Sequence, residues 1–102
     1  MMDMDKEGFL RNFRDWTPEH GDQLASNDQI RLTDAHWEII NLVRAYYHQY
    51  GISPVTRVLV KLVKEELDVS KGTSIYLMGL FSGKPAKLVS KIAGLPKPAN
   101  CD

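Results

Sequence analysis

The chain has one cysteine, Cys101, so no disulfide can close within it. A thiolate metal set is excluded for the same reason. The three histidines do not replace it. His36 and His48 stand twelve residues apart, whereas two ligands on one helix need i, i+4 spacing. A solvated or structural role is expected for His20, His36 and His48, with no metal and no cofactor. Net charge is also missing: 13 bases balance 13 acids. That argues against the large phosphate footprint of a nucleic-acid protein. No apolar run approaches the roughly 20 residues that span a bilayer. The start, Met1-Met2-Asp3-Met4-Asp5, is acidic and has no apolar signal region. With a single thiol, it points to the reducing cytoplasm. Lys71-Gly72-Thr73-Ser74 has the ending of a phosphate-binding loop, but its first glycine and preceding strand are absent.

What is present is one domain's worth of chain. At 102 residues, with 43% hydrophobic and 25% charged positions, it can bury one modest core without staples. Charge is distributed unevenly. Residues 1–41 hold nine acids and four bases, and residues 42–102 hold the reverse. The C-terminal part is therefore electropositive and can steer an acidic partner.

The periodicity predicts helices throughout. Phe9, Leu10, Phe13 and Trp16 are apolar anchors in an otherwise polar N-terminal stretch. Thr17-Pro18 opens a short helix as N-cap and first-turn proline, ending near Asn27-Asp28. Thr33 caps a second helix that runs to Tyr50 and stops at Gly51. Its apolar face is wide enough for the centre of a bundle, and Glu38, Asn41, Arg44 and His48 form one polar stripe. Ser53-Pro54 predicts the start of a third helix by the same cap-plus-proline logic. Val55, Val58, Leu59, Leu62, Val63 and Leu67 are its expected inner face, and Arg57, Lys61 and Lys64 its basic stripe. A turn at 68–72 leads to a fourth helix through Ile75, Tyr76, Leu77, Leu80 and Phe81. A fifth, short and basic, runs from Pro85 to Ala93 and closes at Gly94. The expectation is an all-α, small orthogonal bundle, residues 1–93, with helices three and four as a helix-turn-helix-like pair. Residues 94–102 are expected to be a flexible arm, because Pro96 and Pro98 break any periodicity.

Cys101 lies next to the end of that arm. The reactive form is the thiolate, with an ordinary pKa of about 8.5. Asp102 pushes this up and Lys97 pulls it down. Activation is expected where the arm docks, and the basic face of helices three and five (Arg57, Lys61, Lys84, Lys87, Lys91) is the candidate. Freely extended, residues 94–102 reach about 30 Å, enough to enter another protein's active site.

Lys71-Gly72-x-Ser74-x-Tyr76-Leu77-x-x-Leu80-Phe81, Gly83-x-Pro85-Ala86-Lys87 and Lys91-Ile92-Ala93-Gly94-Leu95-Pro96-Lys97-Pro98-x-x-Cys101 resemble the DsrC/TusE family. So do Glu7-Gly8-Phe9-Leu10, Trp16, Leu32-Thr33-x-x-His36-Trp37-Glu38 and Ser53-Pro54-x-x-Arg57-x-Leu59-x-Lys61. The resemblance implies a helical domain with a C-terminal arm and an N-terminal β-hairpin, here reduced or absent. It implies that Cys101 carries persulfide sulfur by thiol–persulfide exchange. Partners would be an upstream sulfur carrier and a downstream acceptor, either a tRNA thiolase or a sulfite-reductase-type complex. Two-cysteine members keep a second thiol where this chain has Ser90, so the resemblance leans to the single-thiol TusE type, which serves tRNA 2-thiouridine. The alternatives are a DsrC-like partner of sulfite reductase or of a sulfur-oxidation complex, and a DNA-binding regulator. Two further departures are Asp102, where an apolar last residue is usual, and Ser82, where proline is common.

Overall fold

The computed structural model describes residues 2–99, so Cys101 and Asp102 lie outside the described residues. The described residues form five α-helices: α1 (Pro18–Asn27), α2 (Asp34–Tyr50), α3 (Thr56–Glu66), α4 (Ser74–Phe81) and α5 (Pro85–Ile92). A 3-10 turn at Phe13–Asp15 precedes α1, and another at Val69–Lys71 lies between α3 and α4. The all-α expectation holds among the described residues. The N-terminal hairpin survives as a single antiparallel bridge, Met4 to Leu10. Its turn is closed by Asp5, whose Oδ1 accepts from the amides of Glu7 and Phe9, both at 2.9 Å. Gly8 takes φ 87° there, a conformation that favours glycine.

The first two helices begin as their sequences dictate, with one refinement. Each threonine is part of a capping box in which a histidine takes the place usually held by Glu or Gln. His20 Nδ1 accepts from the Thr17 amide at 3.1 Å, and His36 Nδ1 accepts from the Thr33 amide at 3.1 Å. Because Nδ1 accepts, the His36 proton sits on Nε2, which donates to the Leu80 carbonyl at 2.9 Å. His36 is buried and meets the Phe81 ring edge-on at 5.2 Å. The structural role expected of His20 and His36 is thus a start signal for α1 and, for α2, also a tie to α4.

Three expectations need correction. Ser53-Pro54 does not open α3. The helix starts at Thr56 with Val55 as its cap residue and no side-chain cap bond, and Ser53 is turned to another task described below. The hub is also not α2 but α5, which packs on α1, α2, α3 and α4. The reason is side-chain size and spacing. Pro85, Ala86, Val89, Ser90 and Ile92 are all buried on α5, and small Ala86 and Ser90 let four neighbours approach closely. The core around it comprises Leu24, Ile39, Ile40, Val43, Leu59, Val63, Leu77 and Phe81. The inner face of α3 is narrower than expected: Leu59 and Val63 are buried, whereas Val58 and Leu62 are half-exposed. The turn before α4 is fastened to α2 by Lys71 Nζ on Glu38 Oε1 at 2.8 Å. The Glu38 hydrogen bond holds the Lys71 ammonium above its ordinary pKa. Both α3 and α4 lean on that turn.

Replacing His36 with alanine removes the α2 cap partner and leaves the Leu80 carbonyl without its donor. A loss of about 2–3 kcal/mol is expected, read as a lower urea midpoint with an unchanged slope.

Candidate functional site

The site is the end of α5 and the segment that leaves it. A helix terminus leaves its last carbonyls without intrahelical donors. Here every one from Val89 to Ala93 is accounted for. The Ala93 amide reaches Val89 O at 2.9 Å, Gly94 N reaches Lys91 O at 3.1 Å, and Leu95 N reaches Ser90 O at 2.9 Å. The last two bonds make a Schellman motif, with Gly94 at φ 75° in the left-handed position. The remaining two acceptors are served from outside the helix. Trp16 Nε1 donates to Ile92 O at 2.8 Å, and Arg44 Nη1 donates to Ala93 O at 2.6 Å.

Arg44 is held for this by two rings. Its guanidinium carbon lies 4.2 Å from the Phe13 ring centre and 3.9 Å from that of Trp16. Cation–π attraction and the negative end of the α5 dipole both favour a cation there. Partial burial pulls the Arg44 pKa below its ordinary value, but a guanidinium remains charged across the working pH range. Trp16 in turn stacks edge-on against Trp37 at 6.3 Å. Gly94 is needed twice over. Its φ disfavours other residues, and a Cβ would fall 2.4 Å from Trp16 Cδ1.

Beyond Gly94 the chain stays attached. Leu95 is fully buried in the core. Ser53 Oγ donates to Pro96 O at 2.6 Å, which is the task that takes Ser53 away from helix capping. Lys97 Nζ lies 3.3 Å from Glu7 Oε2, and Pro98 is buried. Residues 94–98, assigned by sequence to the arm, are therefore packed on the body. Lack of periodicity did not mean lack of packing, because Leu95 has a core slot and each bond is made by a single residue. From Pro98, the three residues to Cys101 can span about 10 Å, against the about 30 Å of an arm free from Gly94.

The candidate docking residues separate into two groups. Lys87 and Lys91, with Lys84, line an open groove of about 520 Å³ beside Glu7, Asp28, Ser82 and Gly83. Glu7 bridges this groove to the tail, because Lys87 Nζ and Lys97 Nζ approach its Oε2 at 3.5 and 3.3 Å. Lys91 Nζ pairs with Asp28 Oδ2 at 3.2 Å. Ser82, on the rim, has φ 64° and ψ −163°, a region that proline's ring forbids. Lys61 instead lines a separate groove between α2 and α3, and Arg57 is exposed on that helix. Helices three and five thus do not present one continuous basic face.

Ser90 is fully buried, and its hydroxyl has no hydrogen-bond partner among the described residues. A buried hydroxyl without a partner is costly, whereas a thiol, a weak donor that packs as a small hydrophobe, is not. Among the described residues no cluster of His, Cys, Asp or Glu is arranged to hold a metal. No helix there is long and apolar enough to cross a membrane.

A small helical body with a C-terminal tail pinned at its root defines the class. The chain matches the family described as "DsrC like protein" over residues 1–101, and it belongs to that family. It is 46% identical over 100 residues to the sulfurtransferase TusE homolog of Haemophilus influenzae, covering 98% of this chain and 92% of that protein. It is 44% identical over 101 residues to sulfurtransferase TusE of Yersinia pseudotuberculosis, covering 99% and 94%. Among solved structures, Allochromatium vinosum DsrC superposes with a TM-score of 0.90 at 46% identity, covering 99% and 90%. The oxidized gamma-subunit of dissimilatory sulfite reductase (DsrC) of Archaeoglobus fulgidus gives 0.85 at 38% identity, covering 99% and 92%.

Arg44, Trp16 and Ser53 are the positioning residues that sequence reasoning assigned elsewhere. Arg44 was one member of a polar stripe, Trp16 a packing residue and Ser53 a cap. One signal was available: a half-buried indole N–H needs an acceptor. Replacing Ser90 with alanine removes the unpartnered hydroxyl and is expected to raise stability by about 1 kcal/mol. A higher urea midpoint checks this, and a lower one contradicts it.

Proposed function

We propose that this chain is a single-thiol sulfur carrier whose working atom is Cys101 Sγ. The observation that carries the reading is the pairing of one thiol, three residues past Pro98, with a serine in the core at position 90. The sulfurtransferase names of the relatives support it. In the transfer, the Cys101 thiolate attacks the outer sulfur of a donor persulfide. A new S–S bond forms on Cys101, the donor's S–S bond breaks, and the donor leaves as a thiolate. Delivery repeats the same exchange onto the acceptor, so no external oxidant or reductant is required. With serine at position 90, the chain has no second thiol to displace the sulfur as an internal disulfide. Delivery must therefore be to another molecule, and an acceptor of the tRNA 2-thiouridine relay fits better than a cycle that needs two cysteines.

The proposed docking set is Gly94, Pro96, Lys97, Pro98, Lys87 and Lys91, around the groove that Glu7 bridges to the tail. Arg57 and Lys61 lie outside that groove. The proposed compartment is the cytoplasm. The test is mass spectrometry of the protein after incubation with a cysteine desulfurase, upstream carriers and cysteine. Added sulfur mapping to Cys101, and none on Cys101→Ser, is the expected result. Equal labelling of the two, or no labelling at all, ends the reading.

A further inference from the structure

One face of the molecule is not used by the tail or its groove. Between α2 and α3 lies an open apolar groove of about 390 Å³. Leu42, Tyr46, Tyr50, Val58 and Leu62 line it, with Lys61 and Glu65 at its edge. Tyr50 is 58% exposed and stacks on Tyr46 at 4.7 Å, so an aromatic pair stands at the mouth. Of these, Val58 and Leu62 are side chains that the amphipathic pattern of α3 assigned to the interior, and both are half-exposed.

The charges along α3 carry the argument further. Arg57 lies in its first turn, Lys61 in the middle, and Glu65 and Glu66 at its end, with no acid in the first turn. Apart from Lys64, this order opposes the helix dipole, which favours acids at the start and bases at the end. Arg57 and Lys61 are also like charges at i, i+4, which costs the isolated helix a little. Arg57, Lys61, Glu65 and Glu66 make no ion pair among the described residues. Lys61 and Glu65 stand at i, i+4 within α3, but in the less favourable order of base before acid and without an ion pair between them among the described residues; a second α3 laid antiparallel accounts for the order. It would bring Lys61 of one copy to Glu65 of the other and the reverse, and would place Arg57 near the partner's acidic end. That is the self-complementarity a two-fold contact requires.

We propose that the α2–α3 face is the contact surface for a second copy of this chain, with the α3 helices antiparallel and Leu62 beside the two-fold axis. The apolar groove supplies the buried area and the charges set the direction. One short helix against one groove is a small contact, so a weak, concentration-dependent dimer is expected.

Sedimentation velocity of the full chain, under reducing conditions to exclude a Cys101 disulfide, reads this directly. The wild type should show a dimer growing with concentration up to about 1 mM. Lys61→Glu alone and Glu65→Lys alone should each weaken it by about tenfold, since each opposes like charges twice across the axis. An equimolar mixture of the two variants should dimerise again, because both pairs are then opposite in sign, and the double variant K61E/E65K should dimerise by itself. A misfolded variant would not be rescued by mixing. A monomer throughout the concentration range overturns the proposal, as does a dimer indifferent to both charge reversals, or variants that the mixture does not restore.

Discussion

The contact on which the rest depends is that of Arg44 with the end of α5. A short helix at the centre of a bundle has a problem at its C-terminus: its last carbonyls point into protein rather than water and must find donors there. The Schellman turn at Gly94 satisfies two, and the Ala93 amide satisfies a third. Arg44 and Trp16 satisfy the last two from α2 and the N-terminal segment. Once those carbonyls are held, the direction in which the chain leaves α5 is held as well.

Several otherwise separate features follow from this constraint. The N-terminal stretch, with hardly any regular structure of its own, contributes Phe13 and Trp16 as the two faces of the arginine's slot. Its hairpin remnant brings Glu7 to Lys87 and Lys97. The loop before α3 brings Ser53 to Pro96. Three distant parts of the sequence converge on five tail residues, and Leu95 in the core is the centre of that attachment. The described structure is a rigid root from which the sequence runs three residues further to the thiol. On the proposed carrier function, specificity rests on the surface around that root.

Much of the fold was legible because it is written in local signals. Thr17-Pro18, Thr33 and Gly51 are start and stop marks that work within a few residues, and the structure places the ends of α1 and α2 there. What escaped were interactions over long sequence distances. Arg44 and Ala93 are separated by 49 positions, and Trp16 and Ile92 by 76. No periodicity encodes such pairs, and a lone arginine on a helix looks the same whether it faces solvent or a carbonyl. Ser53 shows the limit most clearly. Ser-Pro is a sound helix-start signal, but a hydroxyl can cap a helix or hold a distant carbonyl, and here tertiary packing chose the second. The hub role of α5 was hidden for a related reason: two of its buried positions, Ala86 and Ser90, are small, and close approach by four neighbours rewards small size there more than hydrophobicity. The position of the single cysteine, by contrast, was plain from the sequence and remains the basis of the functional reading.

Hydrogen exchange at the Leu95 amide tests the rigid root most directly. That amide donates to Ser90 O beneath a fully buried side chain. It should open only with the core, showing protection equal to that of the central α5 amides. Exchange at the rate of unstructured chain, while α5 stays protected, would mean that the tail leaves the body at Gly94 and that the Arg44 and Trp16 bonds do not govern where the thiol goes.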